Sequence, residues 1–285
     1  MTENAALHDS TRQRLAAARA FLFDMDGTLV LGDRRNKGLT ALPGAIELLE
    51  HLRQRGVPFR LLTNGTAHTP QEYVSTLREL GFPLTEDSVL TPSSVAADYL
   101  VRRKLARVLV LGARGVSQPL ADAGITLVPA SPQAQADAVY VGWHRGFTMD
   151  DLDAACNAVW HGAKLFAASL SPFFATADGK ALGTSRAISA AITSITGARA
   201  TVLGKPALEA LRHAARRLGV STKELAVVGD DPGLEVPMAH RGGALAVAVN
   251  TGLGGADAFA HLPPEQRPHL TVHGAAELLE LYQAG

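Results

Sequence analysis

Short apolar runs alternate along the chain with segments in which apolar residues recur every three or four positions. The runs have the length of buried strands, and segments such as AIELLEHLRQRG and ALEALRHAARRLG end at glycine, as helices do. We predict strands at FLFD, FRLLTN, VLVLG, AVYVG, TVLGK, LAVVGD and ALAVAV. Strands that alternate with amphipathic helices are typical of a parallel sheet covered by helices, so the pattern predicts the α/β class.

The composition favours a small-molecule partner. The chain has 285 residues, of which 47% are hydrophobic, and this is enough for one large domain or two medium ones. Lys plus Arg and Asp plus Glu number 27 each, so there is no basic field of the kind that holds a nucleic acid or an anionic membrane. We therefore expect no binding to nucleic acid or membrane.

The remaining bulk features predict a cytoplasmic protein. The first segment, MTENAALHDSTRQRLAAARA, has no apolar stretch like that of a signal peptide and is predicted to form a short leading helix. The longest apolar runs are far shorter than a membrane span. The single cysteine, Cys156, lies in a helical pattern, where a small buried residue is expected rather than a reactive thiol.

Four predicted strands are followed at once by polar or charged residues. Ligands of open parallel sheets bind outside the carboxyl ends of the strands, so we expect these side chains to converge on one crevice. The residues are Asp24 and Asp26, Thr63 and Asn64, Lys205, and Asp230 and Asp231.

The paired acids after the first strand suit phosphoryl chemistry. Asp24 at a strand end is a competent nucleophile towards phosphorus and would form an aspartyl-phosphate. Asp26, two residues on, would lie on the same side, where it could give a proton to the leaving oxygen and later take one from water. A Mg²⁺ ion bound by Asp24 and Asp230 would keep Asp24 charged while Asp26 holds its proton, and Gly27 permits the turn by which the chain leaves the site.

Two further strand ends offer groups that bind phosphoryl oxygens. The hydroxyl of Thr63 and the amides of Asn64 and Gly65 are donors, and Lys205 supplies a compact positive charge. Positioning and charge stabilisation are most of what phosphoryl transfer requires of a protein.

Each motif has a simpler interpretation when it is taken alone. The D-x-D-G and GDDPG sequences are good turns, Thr63 and Asn64 could cap the following helix, and Lys205 could be a solvated lysine before a helix. Their occurrence together, each after a predicted strand, favours a functional site.

The four motifs resemble those of the haloacid dehalogenase superfamily. They are DMDGT at 24–28, LLTNG at 61–65, LGKP at 203–206 and VVGDD at 227–231. The second acid of DMDGT points to the phosphatase branch, and the segment that contains VYVGWHRGF is similar to the large cap of the NagD-like subfamily. The resemblance implies a Rossmann-like core at 18–82 and 199–285, with an α/β cap domain inserted at 83–198.

The resemblance also carries functional implications. It implies hydrolysis of a small phosphomonoester metabolite with Mg²⁺, a metal contact from the backbone carbonyl of Asp26, and a homodimer formed through the caps. The residues themselves leave three functions open. These are a phosphatase, a phosphoryl transferase or mutase that uses the same intermediate, and a non-catalytic module that binds a phosphorylated metabolite.

The sequence departs from the family pattern in the fourth motif. The usual Thr-Asp pair is replaced by Leu234 and Glu235. We predict that Glu235, with Asp231 beside it, lies behind the metal ligands or reaches the ion, because glutamate is one methylene longer than aspartate. The alternative is that Glu235 only stabilises the N-terminus of its own helix.

The cap also departs from the family pattern. The stretch FAASLSPFFATADG stands where the subfamily usually has Thr-Asn followed by an acid, so Ser169 and Ser171 are candidate specificity residues. His144 and Arg145 follow a predicted cap strand and are further candidates for substrate contact, with ordinary loop polarity as the alternative.

Overall fold

The computed structural model describes residues 10–32, 38–176, 179–252 and 258–284. Its strands are β1 Ala20–Phe23, β2 Val30–Leu31, β3 Thr40–Ala41, β4 Phe59–Leu62, β5 Val89–Leu90, β6 Arg107–Leu111, β7 Thr126–Val128, β8 Ala138–Val141, β9 Lys164–Ala167, β10 Phe173–Thr176, β11 Gly179–Leu182, β12 Thr201–Val202, β13 Leu225–Gly229, β14 Leu245–Val249 and β15 Leu270–Val272. All seven predicted strands are present, and the α/β class is confirmed.

Helices connect most of these strands. They are α1 at residues 10–16, α2 Ala45–Gln54, α3 Pro70–Glu79, α4 Pro92–Arg102, α5 Arg114–Asp122, α6 Met149–Trp160, α7 Thr184–Thr196, α8 Leu208–Leu218, α9 Glu235–Gly242 and α10 Ala275–Gln283. The predicted leading helix is present at 10–16, and residues 1–9 of that segment lie outside the described residues. Cys156 is buried in α6, as predicted. Within the described residues, the helices lack the combination of length and apolar character that crossing a bilayer requires.

The chain divides into two compact units. The first contains Met1–Thr63, Val74–Val89 and Leu211–Gly285, and the second contains Asn64–Tyr73 and Leu90–Ala210. Strand β5 falls inside the predicted insertion 83–198, yet it belongs to the six-stranded sheet described next. The boundaries of core and cap at 82/83 and 198/199 stay a prediction.

The first unit is built on a six-stranded sheet of order β15-β14-β13-β1-β4-β5. Strands β1, β13 and β14 are buried along their whole length, because helices cover both faces of a parallel sheet and each strand becomes a continuous apolar run. Strand β1 pairs in parallel with β13 on one side and β4 on the other. The carboxyl ends of these three strands therefore meet at one edge of the sheet.

The second unit contains a five-stranded parallel sheet of order β12-β9-β8-β6-β7 and the antiparallel pair β10-β11. Helices α6 and α7 pack on this sheet through a cluster that includes Val139, Val141, Ile188 and Ile192. Threonine residues open α4 and α6 with reciprocal side-chain caps, which satisfy the donors that the first helical turn leaves without partners.

Strand β12 lies in a different sheet from the other three strands that precede candidate site residues. Three of the four strands that precede the candidate residues, β1, β4 and β13, are neighbours in the six-stranded sheet. Strand β12, which precedes Lys205, pairs with β9 instead, with Thr201 opposite Phe166. Sheet membership does not test the expected convergence of Lys205 with the residues after β1, β4 and β13, which stays a prediction.

Candidate active site

Asp24 and Asp26 follow β1 and have different environments. The backbone N–H of Asp24 continues the sheet pairing by donating to the carbonyl of Val228 at 2.8 Å. Asp24 is buried, and the hydroxyl of Thr28 donates to its Oδ2 at 3.2 Å. Met25 is fully buried between the two acids, whereas Asp26 is exposed. One carboxylate is therefore held inside the protein, and the other is open to solvent.

The turn after Asp26 depends on glycine. Gly27 has a φ of 86°, in the left-handed region that side chains disfavour. Its N–H donates to the carbonyl of Val30 at 2.8 Å. Because a trans peptide is planar, with its C=O and N–H pointing in opposite directions, this bond also fixes the direction of the Asp26 carbonyl.

Asp230 lies between two glycine backbones at the end of β13. It is 4% exposed. A Cβ added to Gly27 would lie 2.5 Å from Asp230 Oδ2, and one added to Gly252 would lie 1.7 Å from the same atom. Both distances are far below van der Waals contact, so only glycine leaves room for the carboxylate. We call this arrangement of Gly27 and Gly252 around Asp230 the Asp230 cradle.

These residues fit Mg²⁺, which prefers carboxylate and carbonyl oxygens and keeps several waters. In the part of the chain that the structure describes, no three His, Cys, Asp or Glu side chains gather as a ligand group. The predicted set does not require three, because it combines the carboxylates of Asp24 and Asp230 with the backbone carbonyl of Asp26. A carboxylate that only glycines can accommodate is the observation that favours a ligand role.

Glu235 folds back across the end of β13. It is the first residue of α9 and is 2% exposed. Its Oε2 accepts the backbone N–H of Asp231 at 3.2 Å, and a Cβ on Gly229 would lie 2.2 Å from its Cγ. The predicted tight turn is present, since Asp231 Oδ1 accepts the N–H of Gly233 at 2.7 Å. A carboxylate that only stabilised its helix would not need this burial. The buried position of Glu235 therefore favours the predicted role behind the metal ligands.

We expect Glu235→Gln to weaken apparent Mg²⁺ affinity by roughly ten-fold or more, with turnover largely recovered at saturating Mg²⁺. The physical reason is that the variant loses the negative charge predicted to lie behind the metal ligands while the size of the side chain is kept. Activity titrated against Mg²⁺ measures the effect. Glu47→Gln is the matched control, because Glu47 is an exposed acid in the first turn of α2. Superimposable titrations for the wild type and Glu235→Gln would leave only the helix role.

Thr63 reaches Asp26. Thr63 follows β4 and is buried, and its hydroxyl lies 3.4 Å from Asp26 Oδ2 with donor geometry. It does not cap the following helix, because Thr69 does so. Glu72 N–H donates to Thr69 Oγ1 at 3.2 Å, and the N–H of Thr69 donates to Glu72 Oε2 at 2.7 Å. The alternative interpretation of Thr63 as a helix cap was therefore wrong.

Asn64 is joined to Lys205 by two hydrogen bonds. Its Nδ2 donates to the carbonyl of Lys205 at 2.9 Å, and its Oδ1 accepts the N–H of Lys205 at 2.8 Å. Lys205 is 3% exposed, so it is not the solvated lysine of the simpler interpretation. From the sequence, only the backbone amides of Asn64 and Gly65 were predicted to take part, and the two bonds of the Asn64 side chain were not predicted. Phosphate binding by these residues stays a prediction.

The candidate specificity residues lie at the carboxyl ends of β8 and β9. The N–H of His144 donates to Thr184 Oγ1 at 3.3 Å, and the Arg145 guanidinium lies 5.9 Å from the centre of the Trp143 ring. The hydroxyl of Ser169 donates to that of Ser171 at 3.2 Å. Substrate contact by His144, Arg145, Ser169 and Ser171 stays a prediction.

Sequence reasoning missed three residues around the acids. Thr28 bonds Asp24, Gly252 contacts Asp230, and the hydroxyl of Thr251 donates to the carbonyl of Gly27 at 2.6 Å. The sequence did contain a signal for Gly252 and Thr251, namely their position after a strand. Thr251 and Gly252 follow β14, the neighbour of β13, and ligands of open parallel sheets bind outside such strand ends.

Comparison with known proteins agrees with this architecture. Two models of haloacid dehalogenase-like hydrolases match residues 21–126 and 87–243. The chain belongs to this family of hydrolases, as the four motifs predicted. The structural similarity of this chain to NagD supports the predicted NagD-like subfamily.

Among its relatives is the 5'-nucleotidase YutF of Bacillus subtilis, 28% identical over 82% of this chain and 88% of that protein. NagD from Escherichia coli has a TM-score of 0.80 and 25% identity, covering 91% of this chain and 97% of that one. A glycerol phosphate phosphatase from Mycobacterium tuberculosis, in complex with magnesium, has a TM-score of 0.81 and 29% identity. That comparison covers 93% of this chain and 77% of the other.

Proposed function

We propose that this chain is a Mg²⁺-dependent phosphatase that hydrolyses a small phosphomonoester metabolite through an aspartyl-phosphate on Asp24. The observation that carries the proposal is the contrast between a buried Asp24, bonded by Thr28, and an exposed Asp26 close to the Thr63 hydroxyl. Two carboxylates with opposite tasks need different environments. The related 5'-nucleotidase and glycerol phosphate phosphatase support hydrolysis of a phosphate ester.

The first half of the reaction transfers the phosphoryl group to the protein. A carboxylate oxygen of Asp24 attacks phosphorus, a new P–O bond forms, and the bond to the ester oxygen breaks. Asp26 gives its proton to the leaving oxygen, so that an alcohol departs. The hydroxyl of Thr28 holds Asp24 Oδ2 and restricts the rotation of the nucleophile before attack.

The second half releases phosphate. A water molecule attacks phosphorus, Asp26 takes its proton, and the bond to Asp24 breaks, which restores both carboxylates to their starting states. The exposure of Asp26 suits this exchange, because the group that gives and takes protons must meet both the leaving alcohol and the incoming water. The Thr63 hydroxyl, 3.4 Å away, limits the orientations of Asp26.

Asp24, Asp230 and the carbonyl of Asp26 would hold the Mg²⁺ ion. When bound, the ion would supply positive charge for the phosphoryl oxygens. Lys205, the Thr63 hydroxyl and the amides of Asn64 and Gly65 are proposed to bind the same oxygens. Homodimerisation through the cap and a cytoplasmic location stay predictions.

Two other functions make different demands on these residues. A transferase or mutase would form the same aspartyl-phosphate but pass the group to an acceptor other than water. A binding module would not need an acid in the position of Asp26. An assay of phosphate release distinguishes the phosphatase, the transferase or mutase, and the binding module.

A panel of phosphate esters, including sugar phosphates, nucleotides, phosphoglycolate and pyridoxal phosphate, tests the proposal by release of inorganic phosphate. We expect release that falls to background in excess EDTA and returns when Mg²⁺ is added. Ca²⁺ should support turnover roughly ten-fold or more slowly, because its larger and looser coordination misplaces the nucleophile relative to phosphorus.

The possible outcomes are distinct. Full turnover in excess EDTA would exclude the metal. Transfer of the phosphoryl group to a second metabolite, with no release of phosphate, would establish the transferase, and ester binding without either reaction would establish the binding module.

A further inference from the structure

Thr251, which follows β14, contacts the turn that follows β1. The hydroxyl of Thr251 donates to the main-chain carbonyl of Gly27 at 2.6 Å, across 224 positions of the sequence. The methyl group of Thr251 packs against Gly274, because a Cβ added to Gly274 would lie 2.9 Å from Thr251 Cγ2. With its hydroxyl bonded and its methyl group packed, Thr251 has little freedom to rotate.

Gly27 is held on both sides. Its N–H donates to the carbonyl of Val30, and its own carbonyl accepts from Thr251. The first peptide plane carries the Asp26 carbonyl, and the second leads to Thr28, whose hydroxyl bonds Asp24. Gly27 has a left-handed conformation, and as a glycine it is free to adopt others. Its two hydrogen bonds therefore decide which way the backbone runs through this turn.

The residue after Thr251 contacts the other candidate ligand. A Cβ on Gly252 would lie 1.7 Å from Asp230 Oδ2, and the Cα of Gly252 lies 3.1 Å from the position of a Cβ on Gly27. Residues 251 and 252 therefore touch both the turn after β1 and the acid after β13. They follow β14, a strand whose end carries none of the predicted metal ligands.

We propose that Thr251 is a positioning residue for this site. Its hydroxyl holds the turn at 24–28 in the conformation in which Asp24, the Asp26 carbonyl and Asp230 can bind one metal ion. This inference rests on the proposed function. Thr251 acts through Gly27, and removing its hydroxyl would leave a partly buried carbonyl without this donor, so the turn would relax.

The test compares Thr251→Val, which keeps the shape and loses the hydroxyl, with Thr251→Ser, which keeps the hydroxyl. We expect Thr251→Val to raise the Mg²⁺ concentration for half-maximal activity by about ten-fold or more, the scale seen when groups behind metal ligands are lost. Turnover at saturating Mg²⁺ should also fall, because Asp24 shares the displaced turn. Thr251→Ser should stay close to the wild type.

Thr222→Val is the matched control. The hydroxyl of Thr222 donates to the carbonyl of Gly242 at 2.7 Å, so the variant loses the same kind of bond. Thr222 precedes β13 in the chain, whereas Asp230 follows that strand. We expect Thr222→Val to lower the melting temperature without changing the response to Mg²⁺.

A second readout does not depend on turnover. Mg²⁺ alone, without substrate, should raise the melting temperature of the wild type through binding to the folded state. Thr251→Val should need about ten-fold more Mg²⁺ for the same rise. If Thr251→Val does not fold, Thr251→Ser is compared with Thr251→Ala, because these two variants differ by one hydroxyl. Only the serine variant should then respond to Mg²⁺ like the wild type.

Two results would overturn the inference. One is an unchanged Mg²⁺ response of Thr251→Val in both activity and melting temperature, and the other is an equal shift in Thr222→Val. Failure of the proposed function is distinguishable, because then the wild type itself would show no Mg²⁺-dependent phosphatase activity.

Discussion

Asp24→Asn is expected to lower kcat by ~10³ or more while the protein stays folded. An amide does not attack phosphorus, so the covalent route is lost. The local structure should survive, because the amide oxygen of asparagine can still accept from Thr28 and the backbone bond to Val228 does not involve the side chain. Turnover at saturating substrate and Mg²⁺, together with the melting temperature, measures both parts of the expectation.

Asp122→Asn controls for the lost charge. Asp122 is exposed at the end of α5, where its carboxylate accepts from Gln118. This variant should turn over like the wild type. Folded Asp24→Asn protein with near-native turnover would show that another group is the nucleophile.

Gly27→Ala should lower kcat/KM by about 10²-fold and raise the Mg²⁺ requirement, because displacement of a reacting or ligating group by about 1 Å has this effect. The new methyl group would meet Asp230 Oδ2 at 2.5 Å, so the carboxylate must leave its place in the Asp230 cradle. The left-handed backbone of Gly27 adds a separate cost of about 1–2 kcal/mol in folding stability.

Gly81→Ala separates these two effects. Gly81 has a φ of 95°, but among the described residues a Cβ there would meet only Ile46 Cδ1, at 3.6 Å. Both variants should therefore lose stability, and only Gly27→Ala should lose activity and Mg²⁺ affinity. If the two variants have the same kinetic constants after correction for the folded fraction, the position of Asp230 does not depend on the Asp230 cradle.

The sequence predicted the sheet well because its signal is local. The runs at β1, β13 and β14 are apolar throughout, and a strand buried on both faces requires this. The acids after β1 and β13 contrast with those apolar runs. They can therefore be recognised without knowing which strands are neighbours in the sheet. The pairing of β12 with β9 was not predicted, because a strand of two residues does not specify its partner.

The roles of individual side chains were less predictable. Asn64 was considered for its backbone amide, whereas its side chain is engaged with the backbone of Lys205, 141 positions away. An asparagine after a strand carries no mark of a partner so distant in sequence. Glu235 was different, because the turn and the helix that return it towards β13 are encoded within a few residues.

The sequence by itself determined which elements form and which strand ends carry acids, because hydrophobic periodicity and turn chemistry act over a few neighbouring residues. Only the tertiary structure decided that Asp24 is buried while Asp26 is exposed, that Gly27 and Gly252 enclose Asp230, and that Thr251 bonds Gly27. These contacts join the ends of β1, β13 and β14. They arise because the order of strands in the sheet, rather than their order in the chain, places those ends side by side.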